Sequence, residues 1–589
     1  MLEALLRKRV KIVCTMGPAI RDEGVLREMV LAGMNVARLN FSHGDYDAHG
    51  RYLRMVRAVE EDLRLPLPVM LDTKGPEIRT GLLKDHREVV LREGQLFSLV
   101  VEDVLGDEGR VSVSYRDLPK EVSPGQEIFI DDGTIGLVVE EVRDGEIVCR
   151  VVNGGVLGER KGVNVPGADL SVPVLSEKDV QDIKWGIDHD VDYIAVSFVR
   201  SRDDVIAVKK VLEEFRHEVK IIAKIETRQA VRNLQDILEI SDGVMVARGD
   251  LGVELPTEQV PVVQKCIVEL ARKAGKPVIV ATQMLESMIG SPRPTRAEAS
   301  DVANAVIDGA DAVMLSGETA RGKYPVEAVR TMARIIEHTE RNRSLWERPF
   351  DLPAAGSVPD SISHASVTIA SEMKASAIVT LSRSGTTLRM VAKYRPRCPI
   401  VSSTPVRKVW REMSLVWGAI PLLSEDVKNV EDAIENTLAL AQEEGIIKEG
   451  DLVVVTAGLP VGIPGTTNLI QVQTVGKVLV RGMSILKRQA VGRVAVALSA
   501  EEALSKVKEG EVLVARSTDR GYVPAMQRAS AVVVEEGGLT SHAAIVCLEL
   551  KIPCIVGASG ATSLLQDGMI VTIDGERGLV YQGKVKLGR

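Results

Sequence analysis

The chain has 589 residues, of which 45% are hydrophobic and only 3% aromatic, and its net charge is −8 at pH 7. At roughly 150 residues per domain this length predicts about four domains, and their cores must rest on Val, Ile, Leu, Met and Ala. The acidic balance argues against a general nucleic-acid binder.

The six cysteines, at 14, 149, 266, 398, 547 and 554, form no C-x-x-C pair. That argues against a disulfide framework or a zinc site and fits a reducing compartment. The opening MLEALLRKRVKIVCTMG has no apolar region of signal-peptide length before its basic cluster. No run approaches the ~20 apolar residues of a membrane span. A cytoplasmic protein is expected, with neither nucleic acid nor membrane as a partner.

From residue 10 to about 345, short apolar runs alternate with helical patterns, with one interruption. The runs are KIVCTMG (11–17), VARLN (36–40), VMLDTKG (69–75), YIAVSF (193–198), KIIAKIE (220–226), GVMVARGD (243–250), PVIVATQ (277–283) and AVMLSGET (312–319). Eight strands alternating with helices predict a parallel (β/α)8 barrel, an α/β fold built from residues 1–75 and 168–345. Helix starts are marked by Ser176 with Asp179 and by Thr295 with Glu298, both at capping-box spacing.

Nearly every run ends in residues able to bind phosphate or metal. Arg38 and Asn40 close the second, Asp72 and Thr73 the third, Ser197 the fourth, Glu226 the fifth, Asp250 the sixth, Thr282 the seventh and Ser316 the eighth. A barrel builds its active site from that end. Residues 220–250 stand out, because Lys224 and Glu226 share a face of one run while Arg248 and Asp250 close the next. A lysine inside an apolar strand is costly to bury unless a charge or ligand meets it. On those residues alone, a purely structural Lys–Glu pair is an equal reading.

Residues 76–167 change character. Stretches such as QEIFIDDGTIGLVVEEV alternate apolar and polar residues, with Gly and Asp at the turns. They predict a small inserted β-barrel placed to act as a lid. A Pro-containing stretch near 346–360 opens a third domain, 346–475. Its strands AIVTL, PIVSS and DLVVVTAG mark it as α/β, and Ser382-Arg383-Ser384-Gly385-Thr386-Thr387 leads from the first of them into a helix. Hydroxyls and backbone N–H groups at a helix start can cradle phosphate, and an ordinary cap is the plain alternative. The last domain, 476–589, carries GGLTSHAAIVCLEL with His542 at the head of an apolar helix. That histidine is either a phosphoryl carrier or part of a cap.

At LDTKGPEIRTG (71–81), KIET with MVARGD, ATQMLESM (281–288) and RPTRAEASDVANAV (293–306), the chain resembles pyruvate kinase over its first ~475 residues. The final unit resembles the swivelling phosphohistidine domain of phosphoenolpyruvate-utilising enzymes. The combination is similar to the extended pyruvate kinases of some bacilli.

The resemblance implies phosphoryl transfer from phosphoenolpyruvate to ADP, giving pyruvate and ATP. It implies Mg2+ (or Mn2+) on Glu226 and Asp250, and Lys224 as the catalytic lysine. Arg38 would hold the substrate phosphate and Gly249 with Asp250 the substrate carboxylate. Ser197 would bind the substrate, and Ser316 would be among the catalytic residues with Arg38, Arg79 and Thr282. Thr282 would order the water that protonates the enolate. Arg79, Lys161, Asn40, His43 and Asp132 match nucleotide-side positions. Asn40, Ser42, Asp72 and Thr73 match the monovalent-cation ligands, and glutamate at position 77 implies dependence on K+. The loop Ser382–Thr387, walled by TAGLPVGIPGTTN (456–468), matches an allosteric phosphate site, and a homotetramer is implied.

Two other readings compete. One is a phosphotransferase relay through His542, weakened by Lys551 where those relatives have glycine and by the lack of a recognisable ATP-grasp-like partner domain. The other is a catalytically dead barrel, opposed by the presence of Lys224, Glu226 and Asp250.

Overall fold

The structure is a computed structural model that describes residues 7–131, 133–168, 170–345, 356–427, 429–458 and 466–585. They form two compact units. One holds the chain up to 355 together with the segments 382–395 and 404–423; the other holds 356–381, 396–403 and the chain from 424 onward.

Each of the eight apolar runs contains a strand: β1 (Lys11–Thr15), β2 (Val36–Asn40), β3 (Val69–Asp72), β4 (Tyr193–Val196), β5 (Lys220–Ile225), β6 (Gly243–Ala247), β7 (Val278–Ala281) and β8 (Ala312–Leu315). Every neighbouring pair is parallel, and the order β1-β8-β7-β6-β5-β4-β3-β2 closes on itself. A strand with helices outside and facing strands inside must be apolar on both faces. Accordingly, β7 (VIVA) and β8 (AVML) are buried at every position.

The interior is filled by Val13, Met70, Ile222, Met245, Ile279 and Met314, and Leu415 from the 404–423 segment joins them. Methionine suits such gaps where aromatics are scarce. Both expected capping boxes are present, Ser176 with Asp179 and Thr295 with Glu298. Ser201 with Asp204 makes a third that the sequence reading did not single out.

Polar bonds tie the 382–395 and 404–423 segments to the opposite, N-terminal end of the barrel. Lys11 Nζ donates to the Ala419 carbonyl at 2.8 Å and Tyr193 Oη to the Glu412 carbonyl at 2.5 Å. Arg395 Nη1 donates to Asp311 at 2.9 Å, and Arg411 Nε reaches Glu60 at 3.0 Å. The floor is thereby closed, leaving the C-terminal strand ends as the open face.

Between β3 and β4 the chain builds a separate, mainly β body. The strands Val163–Asn164, Glu127–Ile130, Ile135–Arg143, Glu146–Asn153, Leu96–Val100 and Arg110–Ser112 form a six-stranded sheet in that order, and Gly155–Leu157 pairs with Val89–Leu91. Phe97, Leu99, Val111, Ile128 and Ile147 give it a core of its own.

In the second unit, Ile400–Thr404, Ala377–Leu381 and Leu452–Gly458 run parallel, with Thr467–Thr474 antiparallel at the edge. The C-terminal region is an eight-stranded mixed sheet. Its parallel centre consists of Gln489–Val496, Val512–Ala515, Ala531–Val534 and Cys554–Val556. Among the described residues no helix is long and apolar enough to cross a membrane.

Candidate active site

The polar strand ends meet at the open face of the barrel. Lys224 Nζ lies 2.6 Å from Ser197 Oγ, 2.9 Å from Glu226 Oε1 and 3.2 Å from Asp72 Oδ1. The other Asp72 oxygen accepts Arg38 Nε at 2.6 Å, and Arg38 Nη1 donates to Thr15 Oγ1 at 2.9 Å. One net therefore joins the ends of β1 to β5. Asp72 and Glu226 are almost fully buried, and Lys224 is 11% exposed at its side chain.

Burial alone would lower the Lys224 pKa, but Asp72 and then Glu226 outweigh it and hold the ammonium well above the ordinary lysine value. Burial likewise pushes the Asp72 carboxyl up, and Arg38 followed by Lys224 pull it below the usual carboxylate range. Lys224 and Asp72 each hold the other in its charged form. Charges held this way have already lost their water, so they meet a substrate without having to reorganise.

The backbone at the rim is bent to suit. Phe198 adopts φ 55°, and its N–H donates to Glu226 Oε2 at 2.7 Å. Gly75, at φ 72°, passes so close that a Cβ there would lie 2.9 Å from Ser197 Cβ and 2.8 Å from the Phe198 ring. Only glycine fits both the conformation and the space.

Across the mouth, Gly249 N–H donates to Thr282 Oγ1 at 2.9 Å. Ser316 N–H donates to Glu318 Oε2 at 2.7 Å, while Glu318 Oε1 accepts the Leu285 N–H at 3.0 Å. Burial raises the Glu318 pKa against those backbone bonds. The Ser316 hydroxyl is buried without a hydrogen-bond partner. Asp250 lies in the first turn of the helix Arg248–Glu254 that follows β6.

Comparison with known proteins identifies the family. Residues 7–329 match the pyruvate kinase barrel domain, residues 360–473 the pyruvate kinase alpha/beta domain, and residues 507–578 the mobile domain of PEP-utilising enzymes. A pyruvate kinase of Geobacillus stearothermophilus is 47% identical, over 98% of this chain and 99% of its own length. Pyruvate kinase 2 of Synechocystis is 46% identical, over 98% of each. The crystal structure of a pyruvate kinase from Cryptosporidium parvum superposes with a TM-score of 0.74 at 38% identity, covering 80% of this chain and 97% of that one.

The chain belongs to the pyruvate kinase family. Its reaction moves the phosphoryl group of phosphoenolpyruvate to ADP, giving pyruvate and ATP.

Other residues expected at a pyruvate kinase site lie at the edge of the central net or outside it. Arg79 sits at the base of the insertion, with Nε 2.5 Å from Glu77 Oε2 and Nη1 donating to the Arg160 carbonyl at 2.8 Å. Lys161 exchanges two bonds with Thr80 and pairs with Asp131 at 3.0 Å. A cavity of about 120 Å3 between insertion and barrel is lined by Glu77, Ile78, Phe198, Arg228 and Asp250, among others. Asn40 Oδ1 accepts the Ser42 N–H at 3.2 Å, and Thr73 Oγ1 accepts the Ser197 N–H at 3.2 Å. His43 is exposed on the following turn. Asp132 lies outside the described residues.

In the 382–387 loop, Gly385 turns at φ 75° into the helix Thr386–Ala392, and the Ser384 and Thr386 hydroxyls are 3.0 Å apart. Residues 459–465 of the expected second wall lie outside the described residues. His542 opens the helix His542–Leu550, its Nδ1 3.0 Å from Thr518 Oγ1. Lys551 closes that helix at φ 58°, the left-handed position that glycine usually takes.

The sequence reading did not find Thr15, which ends the first run as a partner of Arg38, or Glu318, which ties Leu285 to Ser316. A threonine closing KIVCT was the available signal for the first. Glu318 offered none, because a glutamate after Ser-Gly reads as a solvated helix start.

Proposed function

We propose that this chain performs the pyruvate kinase reaction with Lys224 as its catalytic cation. The observation that carries the proposal is the buried net that fixes the Lys224 ammonium between Ser197, Asp72 and Glu226. Phosphoryl transfer needs positioning and charge neutralisation rather than covalent help. Lys224 stabilises the charge on the phosphoryl group in flight and on the enolate left behind. Arg38 uses two of its five donors on Asp72 and Thr15, and its remaining donors serve the substrate phosphate.

Thr282 Oγ1 accepts from Gly249, so its own proton is available to donate. It orders the water beside Ser316 that protonates the enolate carbon. Gly249 and Asp250 receive the carboxylate end of the substrate. Arg79, Lys161, Asn40, His43 and Asp132 serve the nucleotide side, and the insertion closes over the bound substrates and excludes water.

Glu226 and Asp250 suit Mg2+ or Mn2+, because a pair of hard carboxylate oxygens leaves positions for substrate and water. When bound, that ion supplies charge neutralisation at the transferring oxygens. Asn40, Ser42, Asp72 and Thr73 suit K+, a hard ion that takes oxygen donors. We further infer a phosphorylated effector on Ser382–Thr387, including Arg383 and Thr387, and a homotetrameric assembly. The paired hydroxyls and the left-handed Gly385 at a helix start support the effector reading.

Steady-state rates with Mg2+ and either K+ or a bulky quaternary ammonium salt test the cation assignment. Replacing K+ should lower activity by about tenfold or more. Equal rates in the two salts would overturn the assignment of K+ to Asn40, Ser42, Asp72 and Thr73.

A further inference from the structure

β7 ends in an uncommon backbone. Thr282 has φ 68° and Gln283 has φ 53°, two consecutive left-handed residues of which neither is glycine. For a β-branched residue such as threonine this conformation is a true outlier. Such strain persists only where the surroundings over-determine it. Here one side chain supplies two of the bonds that reach this turn.

Arg248, the first residue after β6, donates from Nη2 to the Thr282 carbonyl at 2.6 Å and from Nε to the Ala281 carbonyl at 3.3 Å. Its Nη1 donates to Asp301 Oδ1 at 2.7 Å, on the helix Arg296–Asp308, and Nη2 also lies 2.9 Å from Met284 Sδ. The side chain is 11% exposed. A planar fork can serve acceptors on β7 and on that helix at once, which a point-charge ammonium cannot.

We propose that Arg248 is a positioning residue that holds Thr282 and Gln283 in the left-handed conformation and so aims the Thr282 hydroxyl into the site. The peptide hydrogen bond from Gly249 fixes that hydroxyl from one side, and Arg248 fixes its backbone from the other. Asp301 aims the guanidinium in turn. The inference rests on the reading of Thr282 as a substrate-side residue.

The test is steady-state kinetics on Arg248→Lys, which keeps the charge and loses the fork. The expected result is a kcat about 10²-fold lower, the usual cost of a small misplacement, with a change in the phosphoenolpyruvate KM of less than about threefold. Adding Gln283→Gly removes the side chain that resists φ > 0. It should recover about tenfold in kcat in the Arg248→Lys background, a rescue that a merely structural arginine would not give. A kcat for Arg248→Lys within about threefold of wild type would overturn the proposal, and so would a large loss that Gln283→Gly does not relieve.

If Arg248→Lys does not fold, Asp301→Asn carries the test. It should lower kcat by about tenfold with KM nearly unchanged, and an unaltered kcat would overturn the proposal. Thr282→Ala separates the two readings. An undiminished kcat in that variant would remove Thr282 from the site whatever Arg248 does.

Discussion

Asp72 is the residue on which the site's electrostatics turn. Its two oxygens hold Arg38 and Lys224, so one buried carboxylate fixes the two cations proposed to meet the substrate phosphate. Removing one member of such a buried net strands its partners, so a substitution at any of these residues should be costly. Ser316 is the opposite case. Its hydroxyl is buried and unpaired, a state that costs stability and suggests a partner supplied by the reaction's own water or substrate. Ser316→Ala should therefore leave the melting temperature unchanged or raised while lowering kcat by about tenfold. Calorimetry paired with steady-state rates checks this, and a destabilised variant of full activity would make Ser316 purely structural.

At this scale the sequence was partly legible. Lys224 and Glu226 declared themselves because a strand tolerates charge only where something meets it. The left-handed backbone of Thr282 and Gln283 did not, because Thr-Gln carries no turn signature and the Arg248 that bonds the Thr282 carbonyl lies on the helix after β6.

The barrel elements were the most legible part. Strands buried on both faces must be continuous apolar runs, and all eight runs became strands. Capping boxes marked helix starts for the same reason, since unpaired N–H groups demand Ser or Thr with an acid three residues on. The floor elements were not legible. The segments 382–395 and 404–423 lie far along the chain, and the bonds from Arg395 and Arg411 to Asp311 and Glu60 leave no local pattern.

The helix Arg407–Glu412 on that floor carries a prediction of its own. Burial pushes the Glu412 carboxyl up to about 7, with Lys220, Lys408 and Arg389 pulling it back and Asp192 reinforcing the rise. Between its ordinary value of 4.5 and about 7 the folded chain keeps a proton that the unfolded chain has released. Stability from this group is therefore full below that window and is lost as pH rises through it, by on the order of 3 kcal/mol. Glu412→Gln removes the dependence. Denaturant unfolding of both proteins from pH 4.5 to 8 should show the wild type losing ground to the variant as pH rises, whereas parallel curves would place Glu412 in water.

For the whole molecule, the question is where the phosphoryl group travels. The barrel and its insertion belong to one compact unit and hold the Lys224 net, while His542 lies in the other unit with its Nδ1 against Thr518. The left-handed Lys551 closing the histidine's helix departs from the glycine of the phosphotransferase relatives. These features favour a C-terminal region that supports or regulates the enzyme, with the chemistry confined to the barrel.

The most direct test is a coupled assay of pyruvate formation from phosphoenolpyruvate and ADP, with Mg2+ and K+, on wild type, Lys224→Met and His542→Ala. The account predicts activity in the wild type, a loss of about 10³-fold or more in Lys224→Met and a change of less than about twofold in His542→Ala. Collapse of the His542→Ala rate with Lys224→Met still active would contradict it and move the phosphoryl transfer to the C-terminal histidine.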